Sequence, residues 1–155
     1  MDKAEAYRQL TEEIASVVAG ETSETARYAT AACLMALAFK PRFFWTGFYL
    51  VDPLKPGELV VGPYQGTLGC LRIPLGRGVC GHVAATREPI IVPDVHAFPG
   101  HIACDSASNS EIVVPVFRAD GTLAGVLDVD STDYDAFDEV DQAGLVGICR
   151  ILLTA

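Results

Sequence analysis

Late in the chain, Asp120-Gly121 stands between two β-branched, apolar runs, SEIVVPVFR (110 to 118) and TLAGVLDVD (122 to 130). An Asp-Gly pair between such runs is the strongest short-range signal for a β-hairpin, because both residues tolerate the backbone a tight turn needs. With Asp120 and Gly121 as the two central turn residues, Ala119 faces Thr122, Glu111 lies opposite Asp130, and Asp128 lies opposite Val113. Side chains alternate along a strand, so Glu111, Asp128 and Asp130 share one face. Like charges directly opposite each other destabilise a sheet. At ~5 Å and an effective dielectric of ~20 the repulsion is roughly 3 kcal/mol, enough to raise one carboxyl pKa by about two units. Two arrangements offset that cost: one carboxyl stays protonated and serves as a general acid, or a cation binds among the three. The alternative is that the acids point to solvent at the hairpin end, or that a slipped register moves the whole face.

The remaining pattern surrounds this hairpin with short strands and places helices at the two ends. Tyr7, Leu10, Ile14 and Val17 recur at helical spacing before Gly20, which predicts an amphipathic helix over 3–19. The Ala-rich stretch 25–39 is apolar on nearly every side and reads as a buried helix ended by Lys40-Pro41. FFWTGFYLV, LVVGPY, CLRI and PIIV read as strands joined by short turns, with HVAATRE a short helix before PIIV. A last helix, 138–153, carries Val140, Leu145, Ile148 and Leu152 on its core side. Short connections favour antiparallel neighbours, so the expected fold is α+β: an antiparallel sheet flanked by N-terminal and C-terminal helices, one domain over 1–155. Residues 93–110 show no periodicity, and a long loop inside a compact domain tends to carry function.

Charge narrows the functional classes. The chain has 20 Asp and Glu against 11 Lys and Arg, a net charge of −9, which disfavours nucleic acid and anionic membrane surfaces as partners. No signal peptide is visible and the longest apolar run is too short to span a bilayer, so the expected location is the cytoplasm. Structural disulfides are rare in that compartment, and the five cysteines must be read one at a time. Cys33 and Cys149 fall on helical core stripes, where packing explains them. Cys104 sits in the long loop among small and polar residues, and Cys70 and Cys80 flank LRIPLGRGV outside any clear core stripe, which leaves three candidate reactive thiols.

Two further patterns are weaker. His96, His101, Cys104 and Asp105 lie within ten residues, but without a CxxC pair a closed zinc site there needs ligands from elsewhere, and His101 serves equally well to orient the loop or the thiol. GRGVCG (76 to 81) matches G-x-G-x-x-G without the βαβ unit of a dinucleotide fold. It reads as a turn, whose backbone N–H groups at the following helix start would suit a small anion such as a carboxylate.

WTGFY (45 to 49), GPYQG (62 to 66), C-x-RIP-x-GRGVCG (70 to 81), PDVHAFPGHIACDSASNSEIV (93 to 113) and GVLDVDS (125 to 131) together resemble the free methionine-(R)-sulfoxide reductases, which are single GAF domains. The likeness runs along almost the whole chain; the one departure, a longer Pro53 to Gly57, falls in a turn. The resemblance implies a GAF-like fold and thiol-dependent reduction of free L-methionine (R)-sulfoxide, with thioredoxin as returning reductant and neither cofactor nor metal. It implies that Cys104 is the attacking thiol and Cys70 the resolving one, with Cys80 an alternative or auxiliary. Glu111, Asp128 and Asp130 would line the substrate pocket and supply protons, while Trp45 and Tyr49 would enclose the substrate's methyl group and sulfur. Ordinary sheet packing explains the two aromatics equally well. The alternative is a non-enzymatic GAF module sensing a small ligand or redox state through Cys104. Sensor modules usually feed an output domain, for which the residues after the last helix leave no room, and this favours the enzyme. The oligomeric state stays open, a homodimer included.

Overall fold

The computed structural model describes residues 1–153; the last two residues of the domain expected over 1–155 lie outside them. Helix α1 spans Lys3–Val18 and starts at Asp2, whose side chain accepts from the Glu5 N–H at 2.8 Å. Its buried stripe is Tyr7, Leu10, Ile14 and Val18, whereas Val17, expected there, is 60 % exposed. Steps of three and of four residues both fit a 3.6-residue period, so packing against the neighbouring helices decides which valine is buried.

Helix α2, Glu24–Phe39, is capped by Ser23 and buries Tyr28, Ala31, Ala32 and Met35 on one side only. Its outer side carries Leu37, which is exposed, and Cys33, half-buried rather than a core residue as expected. Arg27 is buried because it meets helix ends: its guanidinium donates to the Val18 and Glu21 carbonyls at 2.9 and 2.8 Å and to the Leu152 carbonyl. Val18 and Leu152 are the last residues of α1 and of the C-terminal helix, where carbonyls have no donor from within the helix.

That last helix, named α4, spans Glu139–Leu152 and opens with a capping box between Asp138 and Asp141. Val140, expected on the core side, faces outward, and the core-facing position of the first turn is Asp141, fully buried. A carboxylate is tolerated there because Tyr7 Oη (2.7 Å), Arg42 (3.0 Å) and Lys3 (2.9 Å) all donate to it.

Six strands, β1 (Trp45–Val51), β2 (Glu58–Gln65), β3 (Arg72–Pro74), β4 (Ile90–Val92), β5 (Ser110–Phe117) and β6 (Leu123–Ser131), form one sheet in the order β3-β2-β1-β6-β5-β4. Every neighbouring pair is antiparallel, as the short connections predict. Helix α3, Gly78–Thr86, lies between β3 and β4 in sequence and begins earlier than HVAATRE suggests, inside GRGVCG.

Alternation splits the sheet into two faces. Phe48, Ile112, Val114, Leu127 and Val129 face α1, α2 and α4 and form the larger core. Tyr49, Val113 and Val126 face the other way, toward Val79 and Val83 of α3 and Val95 of the long loop. None of the helices among the described residues is long and apolar enough to cross a membrane.

The β5–β6 hairpin has the expected register by an unexpected route. Arg118 N–H donates to the Thr122 carbonyl and Gly121 N–H to the Arg118 carbonyl, closing a three-residue loop in which Gly121 has a φ of 86°. A longer loop alone would slip the pairing by one residue. Between Phe117–Leu123 and Val116–Gly125 the register shifts, leaving Ala124 as an extra, bulged residue, and Glu111 again meets Asp130.

Candidate active site

Two rows cross the three central strands on the α3 side of the sheet. In the first, Trp45 of β1 pairs with Asp130 of β6, which pairs with Glu111 of β5. In the second, Gly47 pairs with Asp128, which pairs with Val113. The aromatics form a ladder along this face: Trp45 stacks on Tyr49 at 5.5 Å and on Tyr64 at 4.9 Å between centroids. Gly47 makes the ladder possible, since a methyl group there would overlap Tyr64 Cβ and come within 2.9 Å of Trp45 Cη2. Trp45 Nε1 also donates to the Thr67 carbonyl at 2.9 Å, which holds the loop before β3 over the indole.

Two other elements bring sulfur to the same face. Helix α3 presents Cys80, buried, whose thiol donates to Glu111 Oε2 across 3.9 Å. The long loop folds over the sheet and carries Cys104, joined to Cys70 in a disulfide with Cα atoms 5.3 Å apart. Polar contacts hold that loop: Asp105 accepts from Thr67 Oγ1 (2.7 Å) and its own Ala107 N–H (2.8 Å), and Asn109 N–H donates to the Ser131 carbonyl (2.8 Å).

Between sheet, helix and loop lies a cavity bordered by Trp45, Tyr49, Cys80, Cys104, Glu111, Asp128 and Asp130, every site candidate read from the sequence except Cys70, which is bonded to Cys104. The cavity also takes in Leu68, Ile73, His101, Ala103, Asp105 and Ser108. Of these, His101 and Asp105 stand out in the sequence only as loop or zinc residues. Leu68, Ile73, Ala103 and Ser108 belong to irregular segments or a three-residue strand, where no periodicity marks an inward face.

The cavity has a one-sided charge. Among the described residues it is lined by acids and by no lysine or arginine. Glu111 and Asp128 are each 5 % exposed, and burial pushes all three carboxyls well above the ordinary carboxylate range. Repulsion adds to this, from Asp130 on Glu111, from Glu111 on Asp128, and from Asp128 on Asp130. The hairpin register alone points to the repulsion; burial, the larger cause, depends on the loop and α3 closing over the face. His101 Nε2 lies 3.8 Å from Glu111 Oε1, yet burial, with His96 nearby, lowers its pKa and keeps it a poor counter-ion. Burial, then Asp128 and Glu111, raise the Cys80 pKa and hold it as a thiol. Asp128 Oδ1 is buried without a hydrogen-bond partner.

The zinc set considered from sequence does not converge. His96 contacts Asn109 Oδ1 at 3.0 Å, Asp105 turns to Thr67, Cys104 is bonded to Cys70, and His101 faces Glu111. Within GRGVCG, the N–H groups just before α3 are taken up by the chain itself: Gly76 N–H donates to the Gly81 carbonyl at 2.8 Å and Arg77 N–H to the Pro74 carbonyl at 3.2 Å. Gly81 is needed because a Cβ there would overlap the Pro74 carbonyl oxygen, so the motif serves close packing of α3 on β3.

The description "GAF domain" matches residues 5–152, and the chain belongs to the GAF domain family. It is 45 % identical over 145 residues to the free methionine-R-sulfoxide reductase of Escherichia coli (strain K12), covering 94 % of this chain and 85 % of that protein. A solved free methionine-R-sulfoxide reductase from Neisseria meningitidis, in complex with its substrate, superposes with a TM-score of 0.92 at 50 % identity over 98 % of this chain and 89 % of that one. A putative GAF sensor protein from Burkholderia vietnamiensis superposes equally, with a TM-score of 0.92 at 50 % identity over 99 % of this chain and 94 % of that one. Within the GAF domains the chain is a member of the free methionine-R-sulfoxide reductase group.

Proposed function

We propose that this chain reduces free L-methionine (R)-sulfoxide to L-methionine, with Cys104 as the attacking thiol. The observation that carries the reading is that Cys104, already bonded to Cys70, opens on the same cavity as the buried Glu111 and Asp128 and the half-buried Asp130, with no lysine or arginine beside them among the described residues.

That cavity suits a cationic amino acid. Asp128 and Asp130 receive the ammonium group, for which the unpartnered Asp128 Oδ1 offers a buried acceptor. Trp45 and Tyr49 enclose the methyl group and sulfur. Glu111, whose burial raises its pKa well above the ordinary carboxylate range and so favours the protonated form, donates to the sulfoxide oxygen as the Cys104 sulfur attacks the sulfoxide sulfur. The oxygen passes from the substrate sulfur to the Cys104 sulfur as the transient bond between the two sulfurs breaks, so methionine leaves with its sulfur reduced and Cys104 is left as a sulfenic acid. The proton given by Glu111 is replaced from the Cys104 thiol. Cys70 then attacks the sulfenic sulfur, forming the disulfide and releasing water before over-oxidation can follow. Two electrons pass from the cysteine pair to the substrate, and thioredoxin returns them by thiol–disulfide exchange, which suits a reducing compartment such as the cytoplasm. The disulfide supports Cys70 as resolving thiol; Cys80, buried and protonated, is an auxiliary.

The test is to incubate the reduced protein with separated R and S forms of free and peptide-bound methionine sulfoxide, dithiothreitol present, and assay methionine. Activity on the free R form alone is expected. Likeness to a described GAF sensor keeps one second reading, a module that binds a small ligand or senses redox state through Cys104; binding without turnover in the same assay would favour it.

A further inference from the structure

The cavity holds one set of donors that the reductase reading does not use together. The ligand atoms of Cys80, Glu111 and Asp128 lie within 4.8 Å of one another, and all three side chains are buried. They come from three elements, α3, β5 and β6, so the set is held by the fold and not by one flexible segment. Cys80 Sγ stands 3.9 Å from Glu111 Oε2. A tetrahedral zinc, with Zn–S of about 2.3 Å and Zn–O of about 2.1 Å, puts sulfur and oxygen ~3.6 Å apart, so small side-chain movements suffice. Independently of the cluster, Asp128 is 5 % exposed and its Oδ1 has no hydrogen-bond partner. Among the described residues no lysine or arginine lines the space to compensate the acids.

We propose that the reduced protein binds a thiophilic divalent cation, Zn²⁺ or Cd²⁺, through Cys80 Sγ, Glu111 and Asp128, with the freed Cys104 sulfur as fourth donor. The mixture of sulfur and few oxygens selects this class: Ca²⁺ and Mg²⁺ require six or more oxygens or ordered waters in an open site, whereas zinc accepts four mixed ligands. On binding, Cys80, Cys104 and the protonated Glu111 each release a proton to solvent, so affinity rises with pH. In the oxidised protein Cys104 is tied to Cys70, only three protein donors remain, and the ion is held more weakly. The ion sits where the substrate's acid contacts lie and ties up the attacking sulfur, so it is an inhibitor gated by the redox state; this last point rests on the reductase reading.

The protein is reduced with a phosphine, freed of it, and titrated with Zn²⁺ against a colorimetric chelator, and in parallel with Co²⁺ followed by absorbance. Expected are one Zn²⁺ per chain, a thiolate-to-cobalt charge-transfer band, and affinity at least about tenfold lower in the disulfide form, in Cys80→Ser and in Asp128→Asn, since even outer contacts of metal ligands contribute about that much. Cys33→Ser must titrate like wild type. Failure of the reduced wild type to bind, or Cys80→Ser and the shape-conserving Asp128→Asn binding as well as wild type, overturns the proposal. Zn²⁺ should raise the apparent KM for free methionine (R)-sulfoxide and release on chelation should restore it. Stoichiometric zinc in a protein without turnover would leave the metal site standing and remove the reductase reading; turnover without zinc binding does the reverse.

Discussion

Glu111→Gln should make the protein more stable and nearly inactive. Glu111 is buried beside Asp130, its direct partner across the hairpin, and the cationic candidate beside it, His101, is a poor counter-ion. Repulsion at ~5 Å with an effective dielectric of ~20 costs roughly 3 kcal/mol. Holding an ordinary glutamate protonated at pH 7 costs a similar amount, about 1.4 kcal/mol for each pH unit above a pKa near 4.3. Glutamine carries neither cost, and at about 2 to 4 °C per kcal/mol for a domain of this size the variant should melt roughly 6 to 12 °C higher at pH 7. The sign follows from proton counting. Burial raises the folded-state pKa, so the folded protein keeps a proton that the unfolded chain releases above about pH 4. Wild-type stability is therefore full below that pH and falls as pH rises through the raised value, while the variant has no such proton to lose. Thermal melts of the reduced proteins at pH 4 and pH 7, followed by circular dichroism, measure the difference, which should be large at pH 7 and small at pH 4. Turnover should fall by about two to four orders of magnitude with the loss of the proton donor. A variant melting at or below wild type at pH 7, or one with normal turnover and affinity, refutes the reasoning.

Cys104→Ser should abolish methionine formation, while Cys70→Ser should complete one turnover and then stall, as seen by product formed per chain in a rapid-quench assay without reductant. Cys33→Ser and Cys149→Ala should keep turnover close to wild type, because Cys33 lies on the outer side of α2 and Cys149, its thiol pushed up to about 12 by burial, packs in the helical core away from the cavity. Gly47→Ala would force Tyr64 and Trp45 apart and should raise KM and cost roughly 1 to 3 kcal/mol in a denaturant melt. Asp141→Ala takes from Tyr7 its acceptor, leaves Arg42 with the Ala136 carbonyl and Lys3 with Asp138, and removes half a capping box, so a loss of about 3 to 5 kcal/mol is expected with substrate affinity little changed in the material that folds.

Local physics was readable along the chain. Apolar periodicity marked α1, α2 and α4, alternation marked the strands, and Asp120-Gly121 marked the hairpin that puts Glu111 opposite Asp130. Errors came where two choices satisfied the same local rule. Val17 and Val18 fit the helical period equally, Val140 hid the inward position of Asp141, and the α3 start was concealed in glycines that looked like a turn. The right register at the acids resulted from a longer loop and a bulge whose shifts cancel, which no pattern of hydrophobicity records.

What the residues determined by themselves was the presence of three acids on one face, three thiols outside the regular core stripes, and the strands and helices that carry them. The tertiary structure decided which of these meet. Strand β1 pairs with β6 across most of the chain, α3 delivers Cys80, and the long loop swings Cys104 to Cys70 over the acids. Burial follows only from that closure, and burial raises the carboxyl pKa values more than repulsion between neighbours does. Desolvation is a property of the assembled surroundings, set by segments distant in sequence, so no local pattern encodes it.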